Sequence, residues 1–190
     1  MALGAFALAE AAASPYLAYR QPVYIAASFA GVLALILMVG QPLLAAGLLP
    51  GLGASRSRRV HVVLGLLTAA LVSVHVGGLW ITSPPDVVDA LTFTSPAPFS
   101  AWGVVAMWAL VAAACAAALR HGRARRLVHG ALVSVAVGTT LPHAWLIEGT
   151  MGGVSKALLL LAALAALGWA IRTRRTLRLL RLPRAGRAAR

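Results

Sequence analysis

Four of the five histidines fall in two stretches that resemble each other, SRRVHVVLGLLTAALVSVH (57–75) and ARRLVHGALVSVAVGTTLPH (124–143). Each stretch opens on arginines, reaches a histidine within a few residues, and runs through apolar sequence to a second histidine. His61 and His75 are fourteen residues apart, and so are His129 and His143. On a helix, fourteen residues turn through about 1400°, some 40° short of four full turns, and rise about 21 Å. Both histidines of a stretch therefore share one helix face, near opposite edges of a bilayer's hydrocarbon core. Two such helices side by side place four imidazoles as two facing pairs. Neutral imidazole is a good iron ligand, and two from opposing helices give a six-coordinate, low-spin iron suited to electron transfer. The spacing thus predicts two axially ligated haems stacked across a membrane.

Other chemistry fits these residues less well. Zinc or copper would need the four imidazoles at one ion, which a rise of about 21 Å per helix prevents. A proton relay calls for acids inside the spans, and none is there. An ionisable residue in a hydrocarbon core is expensive and usually functional. The alternative is a haem-free membrane scaffold or transporter-like subunit, with packing or proton-handling histidines. Gly65, Gly77, Gly78, Gly130 and Gly138 would let a flat macrocycle approach the backbone, or would serve close helix packing. Arg58, Arg59, Arg125 and Arg126 are placed to pair with haem propionates at the cytoplasmic edge. His121, in the basic turn RHGRARR, reads as a solvated loop residue.

The elements that must position these histidines are membrane spans. The chain is 61% hydrophobic and 11% charged over 190 residues, with a mean hydropathy of +0.86; soluble chains carry about 25% charged residues. Several apolar runs of spanning length predict an all-α polytopic membrane helix bundle of about five transmembrane helices. The runs are about 23–49, 59–82, 99–119, 127–147 and 157–171, the last extendable back to Gly152. Residues 1–21 form an outer N-terminal segment that is too short to span, poorly anchored or lying as a surface helix. Residues 22–172 form the haem-binding domain, and 173–190 a basic cytoplasmic tail, helical to about Leu182 at the membrane surface. The stretch 82–98 has four prolines and two aspartates and reads as a loop with a short helical turn at 87–91. The single cysteine, Cys115, reads as a small buried core residue, and no CxxCH offers covalent haem attachment.

The formal charge is +13, yet its distribution argues against nucleic acid. Of seventeen Lys and Arg, fifteen lie at 56–59, at 120–126 and from 172 onward; only Arg20 and Lys156 fall on the other side, with all four acids, Glu10, Asp86, Asp89 and Glu148. With five spans these segments alternate sides consistently. The positive-inside rule then puts the N-terminus outside and the tail in the cytoplasm of a bacterial inner membrane. It also makes the second and fourth spans parallel, so that His61 lies level with His129 and His75 with His143.

Three stretches, RRVHVVLGLLTAALVSVHVGGLW (58–80), SAWGVVAMWAL (100–110) and RRLVHGALVSVAVGTTLPHAWLIEGTMG (125–152), resemble the ferric reductase-like transmembrane domain family. That family is the haem-carrying core shared by ferric reductases, NADPH oxidases and bacterial YedZ/MsrQ-type membrane subunits. The resemblance covers about residues 20–172, and the histidine spacing is its specific part. It implies that His61 and His129 hold an inner haem b, and His75 and His143 an outer one. The chain departs from many relatives in having five spans instead of six. Its tail is too short for a flavin or nicotinamide domain, and no GxGxxG follows a strand pattern.

The resulting expectation is a di-haem b-type membrane cytochrome. It would act as a ferric reductase-like oxidoreductase subunit that moves electrons across the bilayer. The donor would be a separate cytoplasmic protein or a flavin on a partner, drawn by the basic face. The acceptor would be extracytoplasmic, ferric iron or a partner protein, met near Asp86, Asp89, Trp80 and Trp145.

Overall fold

The computed structural model describes the backbone of residues 2–118 and 122–180, with side chains to residue 173. All regular structure in these residues is helical: α1 (Ala2–Ala12), a 3-10 turn (Pro15–Leu17), α2 (Pro22–Ala46), α3 (Ala54–Thr82), α4 (Pro84–Leu91), α5 (Pro98–Ala118), α6 (Arg123–Leu146) and α7 (Gly153–Leu180). Five segments are long and apolar enough to cross a membrane: Pro22–Ala46, Ala54–Thr82, Pro98–Ala118, Arg123–Leu146 and Gly153–Thr173. The chain is an all-α, multi-pass membrane bundle. His121 and the end of the tail beyond Leu180 lie outside the described residues.

Proline and glycine set the boundaries. Pro22, Pro84 and Pro98 open their helices, where a missing N–H costs nothing. Gly47 ends α2 in the left-handed region at φ 68°, and its N–H bonds back to the last-turn carbonyls of Leu43 and Leu44. Pro42 and Pro142 sit inside α2 and α6 without breaking them, which a membrane bundle tolerates when neighbouring groups satisfy the freed carbonyl.

The bundle is built from two helical hairpins, α2 on α3 and α5 on α6, with α7 packed mainly against α2. Small residues line the helix contacts, among them Ala27, Ala30, Ala34, Ala109, Ala113, Ala136, Ala163 and Ala166, all buried. Large apolar residues such as Val63, Leu66, Trp108, Leu161 and Trp169 face outward. This distribution reverses that of a soluble core and suits helices packed within lipid.

Two local expectations change and one is narrowed. Of the two readings of residues 1–21 the helical one applies, since α1 is a helix, and it is docked on the bundle: Ala7 is fully buried in a cluster with Leu35, Leu159 and Leu160. Most of the proline-rich connection is helical, because α3 runs to Thr82 and α4 starts two residues later. Cys115 is exposed on the outer surface of α5, since the buried stripe of that helix runs through Val104, Ala109, Ala113 and Ala116.

Candidate functional site

α3 and α6 carry the four histidines and face each other across the two hairpins. The ring centres of His61 and His129 are 6.3 Å apart, with the rings nearly perpendicular at 88°. At the far end, His75 lies within electrostatic reach of His143. The histidines therefore pair level by level, and α3 and α6 run in the same direction. Midway between the levels, Thr68 and Ala136 are each only 3% exposed. Each lies seven residues from both histidines of its helix, and so sits between the two levels.

Each imidazole is held from behind by the other helix of its own hairpin. His75 Nδ1–H donates to Ala27 O at 2.8 Å, His143 Nδ1–H to Phe99 O at 2.9 Å, and His129 Nδ1–H to Ala113 O at 2.9 Å. A carbonyl can only accept, so in these three rings Nδ1 carries a proton, and in the neutral imidazole the lone pair is then on Nε2. Among the described residues, Nε2 of these three rings takes no hydrogen bond from the protein. A carbonyl that accepts from the far nitrogen of a metal-bound histidine orients the ring and raises its basicity.

The fourth ring, His61, is backed by a side chain. The Gln41 amide lies 2.6 Å from its Nδ1, and Gln41 is only 9% exposed.

The second hairpin repeats the first. Ala27, Gln41, His61 and His75 correspond to Phe99, Ala113, His129 and His143. The offset is 72 residues on the first helix and 68 on the second, the difference being a longer turn in the first hairpin. Gly31 and Gly103 are also equivalent, and both lie against an imidazole. A Cβ on Gly31 would fall 2.9 Å from His75 Nδ1, and one on Gly103 would fall 2.5 Å from His143 Cε1. Only glycine leaves room for the ring and lets it reach the carbonyl one turn earlier. The repeat offset is the signal that would have revealed both positions in the sequence.

The glycines expected to clear a macrocycle divide into two groups. Beside Gly65, Gly77, Gly130 and Gly138 there is open space where a side chain would stand. Gly78 is a packing residue, since a Cβ there would meet the Ala27 methyl at 2.7 Å.

The arginines divide as well. Arg58, Arg59 and Arg126 are exposed at the starts of α3 and α6, within three residues of His61 or His129. Arg125 turns inward, and its Nη1 donates to Ala117 O at 2.9 Å, at the end of α5. Ser57 does the same in the first hairpin, its hydroxyl donating to Leu44 O at 2.7 Å. Both residues precede a histidine by four positions, so each latches the start of a histidine helix to its neighbour.

Comparison with protein-family models, curated proteins and solved structures gives no match to this chain. What it can hold is therefore argued from its own geometry. Among the described residues no three His, Cys, Asp or Glu side chains gather at one point. Each level offers two histidines, one from α3 and one from α6.

The opposite end of the bundle carries the acids. Asp86 and Asp89 are on α4, close to the end of α3 and to the exposed Trp80. Glu10 lies against Gly152, and the Lys156 ammonium donates to Ile147 O. A cavity of about 450 Å³ lies among Glu10, Ser14, Tyr16, Glu148 and Lys156.

Proposed function

We propose that this protein is a di-haem b-type membrane cytochrome, with His61 and His129 holding one haem and His75 and His143 the other. The observation that carries the reading is the His61–His129 pair. Two imidazoles that shared one ion, each nitrogen about 2.0 Å from it, would have ring centres about 6 Å apart. The 6.3 Å separation fits one ion between the rings. A ligand set of two imidazoles, with four further positions filled by what is bound, is the ligand set of a haem. The open space beside Gly65 and Gly130 is where a flat group needs clearance.

When bound, haem supplies a one-electron ferric/ferrous couple at each level. The chain's own contribution is to hold three of the four rings, His75, His129 and His143, in a fixed tautomer and to keep the surroundings apolar. It also offers Arg58, Arg59 and Arg126 to the propionates at the first level. Two couples stacked between the ends of a spanning bundle suit transfer of electrons across the bilayer. On this reading the chain is a ferric reductase-like oxidoreductase subunit of the bacterial inner membrane, with its N-terminus outside. Electrons come from a cytoplasmic donor protein or a partner's flavin, and leave to ferric iron or a partner protein outside. The charge distribution supports that orientation through the positive-inside rule.

Protein purified after expression with ample haem should contain about two haems per chain by the pyridine haemochrome assay, with a bis-imidazole spectrum. Finding none would defeat the proposal, and finding one would reduce one histidine pair to packing. The scaffold reading also draws on the Nδ1–carbonyl bonds, which hold packing histidines too. It gives no reason for the 6.3 Å approach of His61 and His129 from two different hairpins.

A further inference from the structure

Gln41 breaks the repeat at one point. In the second hairpin His129 leans on the Ala113 backbone carbonyl, which can only accept. At the equivalent place on α2, His61 meets a side-chain amide, which presents either an oxygen or a nitrogen. The orientation that satisfies the hydrogen bonds puts the amide nitrogen toward His61, 2.6 Å from Nδ1 and 3.3 Å from its backbone oxygen, while Oε1 accepts from Gly65 N at 3.0 Å. The amide thus bridges the 61–65 turn of α3. With a donor facing it, Nδ1 must accept, and in a neutral imidazole the proton then sits on Nε2. That tautomer cannot ligate a metal through Nε2. The opposite orientation turns Oε1 to Nδ1–H, which puts the lone pair of the neutral ring on Nε2.

We propose that Gln41 is the positioning residue that sets the tautomer of His61, and that it thereby tunes the affinity and redox potential of the His61/His129 site alone. The inference rests on the haem reading for its redox part; its tautomer part concerns only the protein. An amide held by two other contacts gives up a fixed geometry to turn, so His61 is a weaker axial ligand than its three counterparts. The two levels are inequivalent for that reason, although their ligands are the same.

The test compares wild-type protein with Gln41→Glu and Gln41→Leu. A carboxylate can only accept, so Gln41→Glu should fix the proton on Nδ1 and make Nε2 more basic. Basic axial ligands favour the ferric state. One of two haem components in a redox titration should then move to lower potential by at least tenfold in its equilibrium constant, 59 mV for one electron. The component lost in His75→Ala should stay in place. Gln41→Leu keeps the volume without a hydrogen bond, and should move the same component the opposite way. Nitrogen-15 spectra of histidine-labelled protein made without haem should show the His61 resonance, assigned by its absence from His61→Ala, change from the Nε2–H to the Nδ1–H tautomer in Gln41→Glu. If Gln41→Glu folds poorly, Gln41→Leu provides the same comparison by itself. Unmoved midpoints in haem-loaded protein, or equal shifts of both components, would overturn the tuning and leave the haem reading intact. Wild-type protein without haem would overturn both, and an unchanged His61 tautomer in Gln41→Glu would overturn the positioning role.

Discussion

Gly103 and His143 share a space that holds only one of a methyl group and an imidazole: a Cβ on Gly103 would lie 2.6 Å from His143 Nδ1. Gly31 stands in the same relation to His75, with slightly more room at 2.9 Å. Contacts this short force one side to move, and the ring is the side that can. Moving it stretches the bond to Phe99 O or Ala27 O and misaligns Nε2. Gly31→Ala and Gly103→Ala should therefore each remove or shift the spectral component that depends on His75 and His143. Gly103→Ala should have the larger effect. Gly40→Ala, on the same helix as Gly31 but in open space, is the control. Spectra of all three after matched expression check this, and wild-type spectra in both imidazole-facing variants would show that the close approach is inconsequential.

Level-by-level pairing makes the histidine variants pairwise redundant. His61→Ala should lose the same component as His129→Ala, and His75→Ala the same as His143→Ala. Each single variant should retain about one haem of two. Low-temperature difference spectra resolve the components, and a cross-pattern linking His61 with His143 would reverse the relative direction of α3 and α6.

Ser57 and Arg125 are hairpin latches. Deleting a side-chain hydrogen bond of this kind costs about 1 kcal/mol, more where a buried partner is left unsatisfied. Ser57 is only 1% exposed, so Ser57→Ala should lower the thermal midpoint in detergent. Arg125→Ala should do so too, while changing haem potentials little. Arg59→Ala and Arg126→Ala should give the reverse pattern, with shifted potentials at nearly wild-type stability. If Arg125→Ala moves a potential as far as Arg126→Ala does, Arg125 serves the propionates after all.

Asp86 and Asp89 lie on α4, at the acidic end of the bundle. Carboxylates are hard oxygen ligands that concentrate ferric ions or attract a cationic partner. Replacing both with Asn should slow ferric-dependent reoxidation of the haem several-fold, leaving the spectrum and donor-driven reduction unchanged. Stopped-flow reoxidation checks it, and an unaltered rate would assign the acceptor role to a partner protein or quinone.

The sequence by itself determined what depends on one helix at a time. Hydropathy marked five spans, since any backbone crossing lipid must satisfy its own hydrogen bonds. The fourteen-residue spacing put His61 with His75, and His129 with His143, on single faces, because helical periodicity is a local property. Charge clustering separated a basic end from an acidic end. What stands behind each imidazole was not legible, because the carbonyls of Ala27, Phe99 and Ala113 belong to a neighbouring helix, and every backbone has carbonyls.

Gly31 and Gly103 matter only because α2 and α5 cross their partners at those turns. The repeat offset pairs these two glycines in the sequence, but it does not say which imidazole each one meets. Arg125 looked like its neighbour Arg126. It became a latch only when the hairpin turn brought Ala117 O within 2.9 Å. The docking of α1 turned on whether Ala7 found a surface to fit, and Leu35 with Leu159 and Leu160 supplied it. Burial, ring tautomer and latch all require two segments to meet, and which segments meet is decided by packing in three dimensions.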